Sequence, residues 1–273
     1  MPSLIAPDGT TLVYEALEAP NARAAVLFLP GWSDHAGRWA DFAAELRDAK
    51  LTTFALDLRG HGRSGGRRGH LSRFSQLLGD LQAFRRAVRQ RGDLPQVLLG
   101  HSFGGLIVLR YLETQPADPI AAAAVASPYL GLAFQPPWWK LLAGRLLADL
   151  WPTVPVKAGL DADHMSRDAA VNAAYRADPL VHDVMTPGAW REIGWAQRAV
   201  PADAQRIEMP LLVQLAGEDR MVDAHLARAF ADRLKVPVEV HWYPEMYHEI
   251  FHDPRREEPI RDLLAFLGQR GVV

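Results

Sequence analysis

Gly100-His101-Ser102-Phe103-Gly104 matches the pattern G-x-S-x-G, and its flanks give that pattern a structural meaning. Before it, Gln96-Val97-Leu98-Leu99 is a short apolar run bounded by Pro95, readable as a buried strand. After it, Gly105 to Gln115 carries Leu106, Ile107, Val108, Leu109, Tyr111 and Leu112, an apolar face at helical spacing. A strand that turns sharply into a helix lifts the hydroxyl at its apex clear of the backbone. The flanking glycines are needed because a Cβ would clash in so tight a turn. This context predicts a nucleophile at Ser102 rather than an ordinary serine in a glycine-rich loop.

Outward from Ser102, apolar runs alternate with helical patterns. Pro7-Asp8-Gly9 and Leu12-Val13-Tyr14 suggest an N-terminal hairpin, and Ala24 to Leu29 is continuously apolar, as a strand buried on both faces should be. Next come a helix with Trp39, Phe42, Ala43, Leu46 and Ala49 along one stripe, a strand at Thr52 to Leu56, and an amphipathic helix around Leu77, Leu81, Phe84 and Val88. Ile120 to Val125 is another apolar run. From Tyr129 to Pro201 the alternation gives way to helical patterns rich in Trp and Pro, with no convincing strand. It resumes with a strand at Leu211 to Leu215, a helix near His225 to Leu234, a strand at Val238 to Tyr243 and a closing helix near Ile260 to Leu267. The prediction is an α/β chain: a mostly parallel central sheet flanked by helices, with core segments 1–128 and 202–273 and an inserted helical cap at 129–201.

At 273 residues, 49% hydrophobic and 23% charged, the chain can bury one large core with an insertion. A net charge of −2 with no long charge run offers no basic face for nucleic acid. The absence of cysteine excludes disulfides, thiolate catalysis and sulfur-ligated metals. No secretory signal or membrane-length apolar run is visible, so the expected compartment is the cytoplasm. No metal or cofactor is expected.

A serine hydroxyl needs a base, and the base needs a carboxylate to fix its tautomer and stabilise its charged form. With Ser on a strand-to-helix elbow, the acid and then the histidine should follow in loops at the C-terminal ends of later strands. Asp219, after the strand ending at Leu215-Ala216, is the acid candidate, with Glu218 and Asp223 as rivals; Asp223 reads more simply as a helix N-cap. His248 is the base candidate, between the last strand and the last helix. Its rival His252 lies one turn later, where capping or solvent exposure is expected, and His101 should point away from the substrate side. The oxyanion donors expected are the backbone N–H of Phe103 and of Trp32, since Pro30 has none.

Together, Leu29 to Trp39, Asp57 to Gly65, Gly100 to Gly105, Gly217 to Asp223 and Tyr247-His248-Glu249 resemble the α/β-hydrolase superfamily. Met165 to Asp168 and Asp178-Pro179-Leu180 extend the resemblance to its monoacylglycerol lipase and lysophospholipase-like branch. The resemblance implies a triad of Ser102, Asp219 and His248, an oxyanion hole from Trp32 and Phe103, and a small-molecule acyl ester as substrate: a monoacylglycerol, a lysophospholipid or a simple ester. It also leaves open thioester, carbon–carbon or N-terminal peptide cleavage by the same triad, or a non-catalytic binding protein. Two departures stand out: Pro30 where the family usually has His, and Trp32 where it has a small residue.

The loop from Asp57 to Gly69 carries Arg59, Arg63, Arg67 and Arg68 but lacks a P-loop ending, so internal hydrogen bonding is expected of it. In the insertion, Trp138, Trp139, Leu142 and Leu146 are the candidate substrate-binding residues. Lining an acyl channel, transient contact with a lipid surface and plain packing all fit that stripe.

Overall fold

The computed structural model describes all of the chain except residues 115 and 118. Ser3–Ile5 (β1) and Thr11–Leu17 (β2) form the expected antiparallel hairpin, with Leu4 opposite Leu12. Ala24–Leu29 (β3), Ala40–Asp48 (α1), Leu51–Leu56 (β4), Phe74–Arg89 (α2), Gln96–His101 (β5), Phe103–Leu112 (α3) and Ala122–Ala126 (β6) follow. The insertion holds Trp138–Leu150 (α4), Val156–Lys157 (β7), Ala169–Ala177 (α5), Val184–Met185 (β8) and Pro187–Asp203 (α6). Leu211–Ala216 (β9), Ala224–Ala231 (α7), Val238–Tyr243 (β10) and Glu257–Gly268 (α8) close the chain. The helix read from Gly105 to Gln115 starts earlier, at Phe103; residue 115 lies outside the described residues.

The sheet runs β1-β2-β4-β3-β5-β6-β9-β10, with every pairing from β4 to β10 parallel and the β1–β2 and β2–β4 pairings antiparallel. Side chains alternate across each strand. In β3, Ala25, Leu27 and Leu29 face one core, lined by Phe84 of α2, Leu106 of α3, Ile193 of α6 and Phe230 of α7. Val26 and Phe28 face the other, lined by Phe42 of α1 and Phe266 of α8. Covering both faces is why these strands read as unbroken apolar runs. A fully buried Phe or Leu contributes roughly 1.5–3 kcal/mol of transfer free energy, so both layers are needed.

Two features of the insertion differ from the sequence reading. The first is the strand pair β7–β8, with Val156 opposite Met185 and Lys157 opposite Val184, where no strand was expected. Strands of two residues are too short to show a period. The second is α6, which starts with Thr186 accepting from Ala189 N and Pro187 in the first turn, then runs past Pro201 to Asp203. Ala189, Ile193, Ala196 and Val200 bury its inner stripe in the core shared with α2 and α3.

Candidate active site

Parallel register brings the C-terminal ends of the strands to one edge. Leu29 pairs with Gly100, His101 with Ala126, and Ala216 with Tyr243. The loops that leave this edge carry residues 30–35, Ser102, Gly217 to Asp223 and Pro244 to His248. A crevice outside the strand ends is where open α/β sheets place their chemistry.

Ser102 sits between β5 and α3 at φ 52°, a left-handed conformation that strains an L side chain. Hydrogen bonds fix it there: its N–H donates to Ala126 O (2.9 Å), and its carbonyl accepts from Leu106 N (3.1 Å) and Tyr129 N (3.0 Å). The elbow glycines act through space. A Cβ on Gly104 would sit 2.0 Å from Leu29 O, and one on Gly100 would sit 2.4 Å from Gly104 O. A Cβ on Gly31 would lie 3.7 Å from Ser102 Oγ, so the loop after β3 passes beside the hydroxyl. Among the described residues, the backbone N–H groups of Trp32 and Phe103 donate to no protein acceptor.

His248 Nδ1 lies 2.8 Å from Asp219 Oδ2, with both side chains almost wholly buried. The other carboxylate oxygen, Oδ1, accepts from Met221 N (2.8 Å) and Val222 N (2.9 Å), which fixes the carboxylate plane. Burial by itself lowers the His248 pKa, but the Asp219 charge and hydrogen bond, with Glu249 and Asp34 farther off, outweigh it and raise the pKa above the ordinary value. Asp223 caps α7 by accepting from His225 N and Leu226 N, and Glu218 is exposed, so neither rival acid reaches the imidazole.

His252 corrects its expectation. It neither faces solvent nor caps a helix; its ring stacks on Trp39 at 4.3 Å, with Nδ1 on Glu249 Oε2 (2.8 Å) and Nε2 on Arg38 O (3.1 Å). A carboxylate and a carbonyl both within reach favour burial over solvent. His101 turns inward, its ring 4.8 Å from that of His248 and its Nε2 donating to His248 O. Burial first, then the neighbouring His248, pushes its pKa down to about 3.

Sequence reasoning missed the ionic network behind the histidine. Arg38 binds Glu249 through both terminal nitrogens (2.9 and 2.8 Å) and Asp34 at 2.9 Å. Burial would raise the Glu249 pKa, but Arg38 and His252 hold it well below the carboxylate range. The insertion is stitched to the same segment: Glu249 N donates to Met165 O, Ser166 Oγ to His252 O, Arg167 pairs with Asp253, and Arg38 lies over Tyr175. The available signal was a carboxylate directly after His248, with Asp34 and Arg38 four residues apart.

Trp32 is buried. Its Nε1 donates to Val184 O of β8 (3.1 Å), and its ring meets Phe103 and His61 edge-on. Burial drives the His61 pKa to about 3 and that of its neighbour His182 to about 4, keeping the cluster uncharged. By contrast, Trp138, Trp139, Leu142 and Leu146 lie on the outer side of α4, 51–75% exposed, while Ala148 is buried on the side toward α6. Plain packing is therefore not their role. The arginine loop is held by the expected internal bonds, Arg63 N on Asp57 Oδ2 and Arg68 on Gly62 O, and Arg59 ties it outward to Asp80 of α2 and to Asp8. Among the described residues, no His, Asp and Glu cluster could hold a metal ion.

With this geometry in place, comparison with known proteins is informative. The sequence profile of the family described as serine aminopeptidase, S33, matches residues 20–255. The chain belongs to this α/β-hydrolase family. The hydrolase is 34% identical to a monoacylglycerol lipase of Mycolicibacterium smegmatis, over 95% of this chain and 93% of the relative. It is 30% identical to a phospholipase of Bacillus subtilis, over 92% and 98%. The crystal structure of a Paleococcus ferrophilus monoacylglycerol lipase superposes with a TM-score of 0.86 at 29% identity, over 95% of this chain and 99% of that one.

Proposed function

We propose that this ester hydrolase cleaves monoacylglycerols, lysophospholipids or related acyl esters through an acyl-enzyme on Ser102. The observation that carries the reading is the buried Asp219–His248 pair, delivered by the loops after β9 and β10 to the strand edge where Ser102 stands at the strained apex. Substrate class is supported by the names of the lipase and phospholipase relatives.

In this mechanism His248 Nε2 takes the Ser102 proton as Oγ attacks the ester carbonyl. Asp219 holds Nδ1–H and stabilises the imidazolium. The negative oxygen of the tetrahedral intermediate accepts from the N–H groups of Trp32 and Phe103, and one such donor is worth about 3–4 kcal/mol in the transition state. Collapse expels the alcohol, which takes its proton from His248. Water deprotonated by the same imidazole then attacks the acyl carbonyl, and release of the acid restores Ser102.

Residues 129–201 serve as the cap in this proposal. The exposed Trp138, Trp139, Leu142 and Leu146 meet substrate by touching the lipid aggregate that carries it, and the enzyme acts in the cytoplasm. Among the described residues, no helix is long and apolar enough to cross a membrane. The test is a hydrolysis panel of monoacylglycerols, lysophospholipids, simple p-nitrophenyl esters and aminoacyl p-nitroanilides. Turnover should favour the acyl esters; a preference for the anilides would overturn the substrate class while leaving the triad intact.

A further inference from the structure

The indole of Trp32 reaches three parts of the molecule at once. Nε1 donates to Val184 O, 152 residues away in the insertion. One ring edge meets Phe103 at 5.0 Å, the residue whose N–H is the second oxyanion donor, and another meets His61 at 4.7 Å. The acceptor is itself tightly held: a Cβ on Gly69 would fall 2.2 Å from Val184 O, so the loop after β4 presses on the same carbonyl.

The segment that carries Trp32 is anchored at both ends. Pro30 O accepts from Gly104 N (3.1 Å), and Asp34 accepts from Trp39 Nε1 (2.8 Å) and pairs with Arg38. Between those points stand Gly31, without a side chain, and Ser33 at φ 66° with a buried, unpartnered hydroxyl. Among the described residues, the indole makes the long-range hydrogen bond of residues 31–33.

We propose that the Trp32 side chain is a positioning residue, which ties the seating of the β7–β8 hairpin to the alignment of the two oxyanion amides. This rests on the reading of Trp32 and Phe103 as donors. When the insertion lifts to admit an acyl chain, Nε1 loses its acceptor and the 31–33 segment loses its tether. The oxyanion hole is then well formed only with the insertion seated, so stabilisation of the transition state waits for closure over the substrate.

Two variants separate the hydrogen bond from the bulk of the ring. Trp32→Phe removes the donor and part of the ring; replacing Trp32 with 3-benzothienylalanine removes the donor and keeps the shape. With p-nitrophenyl acetate, both should lose on the order of 10–100-fold in kcat, less than outright loss of a donor, with KM within about threefold. Affinity for phenylboronic acid, which forms a tetrahedral adduct on an active serine, should fall by a similar factor. The pH profile should stay in place, since the His248–Asp219 pair is untouched. Amide exchange should quicken together at residues 31–34 and 182–186. A benzothienyl enzyme that keeps kcat within twofold, or exchange that quickens in one segment only, would overturn the proposal. The catalytic reading fails separately, if Ser102→Ala retains turnover.

Discussion

Asp219 grips His248 with one oxygen and two backbone amides with the other: Oδ2 lies 2.8 Å from Nδ1, while Oδ1 accepts from Met221 N and Val222 N. The carboxylate is thereby aimed before the imidazole arrives, so its charge is available to stabilise the imidazolium without reorganisation. Asp223, four residues on, spends its side chain on the first turn of α7.

This division of labour predicts the ranking of two amide substitutions. Asp219→Asn should lower kcat by about 10⁴, because an amide can favour the wrong tautomer and cannot stabilise the charge. Asp223→Asn should cost less than tenfold, since Asn also caps helices. The acid limb of the kcat/KM profile reports the free-enzyme base. Because Asp219 raises the His248 pKa, the wild-type midpoint should lie above the ordinary histidine value, and Asp219→Asn should move it to lower pH. Pre-steady-state and steady-state pH profiles of the two variants check both statements.

His248 and His252, four residues apart, should separate cleanly on mutation. His248→Ala should be inactive to within background, a loss on the order of 10⁴ or more. His252→Ala should remain within about tenfold of wild type in kcat but lose about 2–3 kcal/mol of stability, because it removes one buried hydrogen bond to Glu249 and the ring stacked on Trp39. Denaturant unfolding beside initial rates measures the two losses independently.

The parts of this molecule that were legible in its sequence are those governed by period and by local turn chemistry. Strands β3, β5, β6 and β9 are buried on both faces and read as apolar runs, and Gly100 and Gly104 are fixed by backbone approaches that any Cβ would violate. What stayed hidden depends on distant pairings. Arg38 and Glu249 are 211 residues apart, and Trp32 and Val184 are 152 apart. His252 looked like a surface residue because nothing near it in sequence reveals the Trp39 ring it rests on. The insertion was expected to end at Pro201, yet α6 carries on to Asp203 because its inner stripe is held by α2 and α3.

Stability should fall as acid reaches three histidines that burial keeps neutral. His61 and His101 are held near pKa 3 and His182 near 4 by burial first, so each is neutral in the native state while its unfolded counterpart binds a proton below about pH 6.5. Their stabilising contribution is complete above that value and drains away as pH falls toward their native pKa values. Glu113 runs the other way: burial raises it to about 7, so it gains stability as pH falls from 7 toward 4.5. Three histidines against one glutamate leave a slope of roughly 2–3 kcal/mol per pH unit between about pH 6 and 4.5. Urea unfolding at half-unit intervals measures it; a flat profile would mean that these imidazoles are protonated in the folded protein.

The exposed stripe on α4 predicts a substrate-state effect. Trp138→Ala and Trp139→Ala, alone or together, should reduce hydrolysis of a monoacylglycerol carried in phospholipid vesicles by several-fold, since each indole can bury apolar area in the interface. Turnover of a water-soluble short-chain ester should be unchanged. Equal losses on both substrates would place these side chains in the acyl site instead.

The most direct measurement of the central claim is the mass and position of a fluorophosphonate adduct. Only a serine activated by an adjacent base reacts readily with such a probe, so intact-mass spectrometry and peptide mapping read nucleophile and activation in one experiment. A single adduct on Ser102, absent in Ser102→Ala and slowed by orders of magnitude in His248→Ala, is the predicted result. An unlabelled protein, or an adduct on another serine, would contradict it.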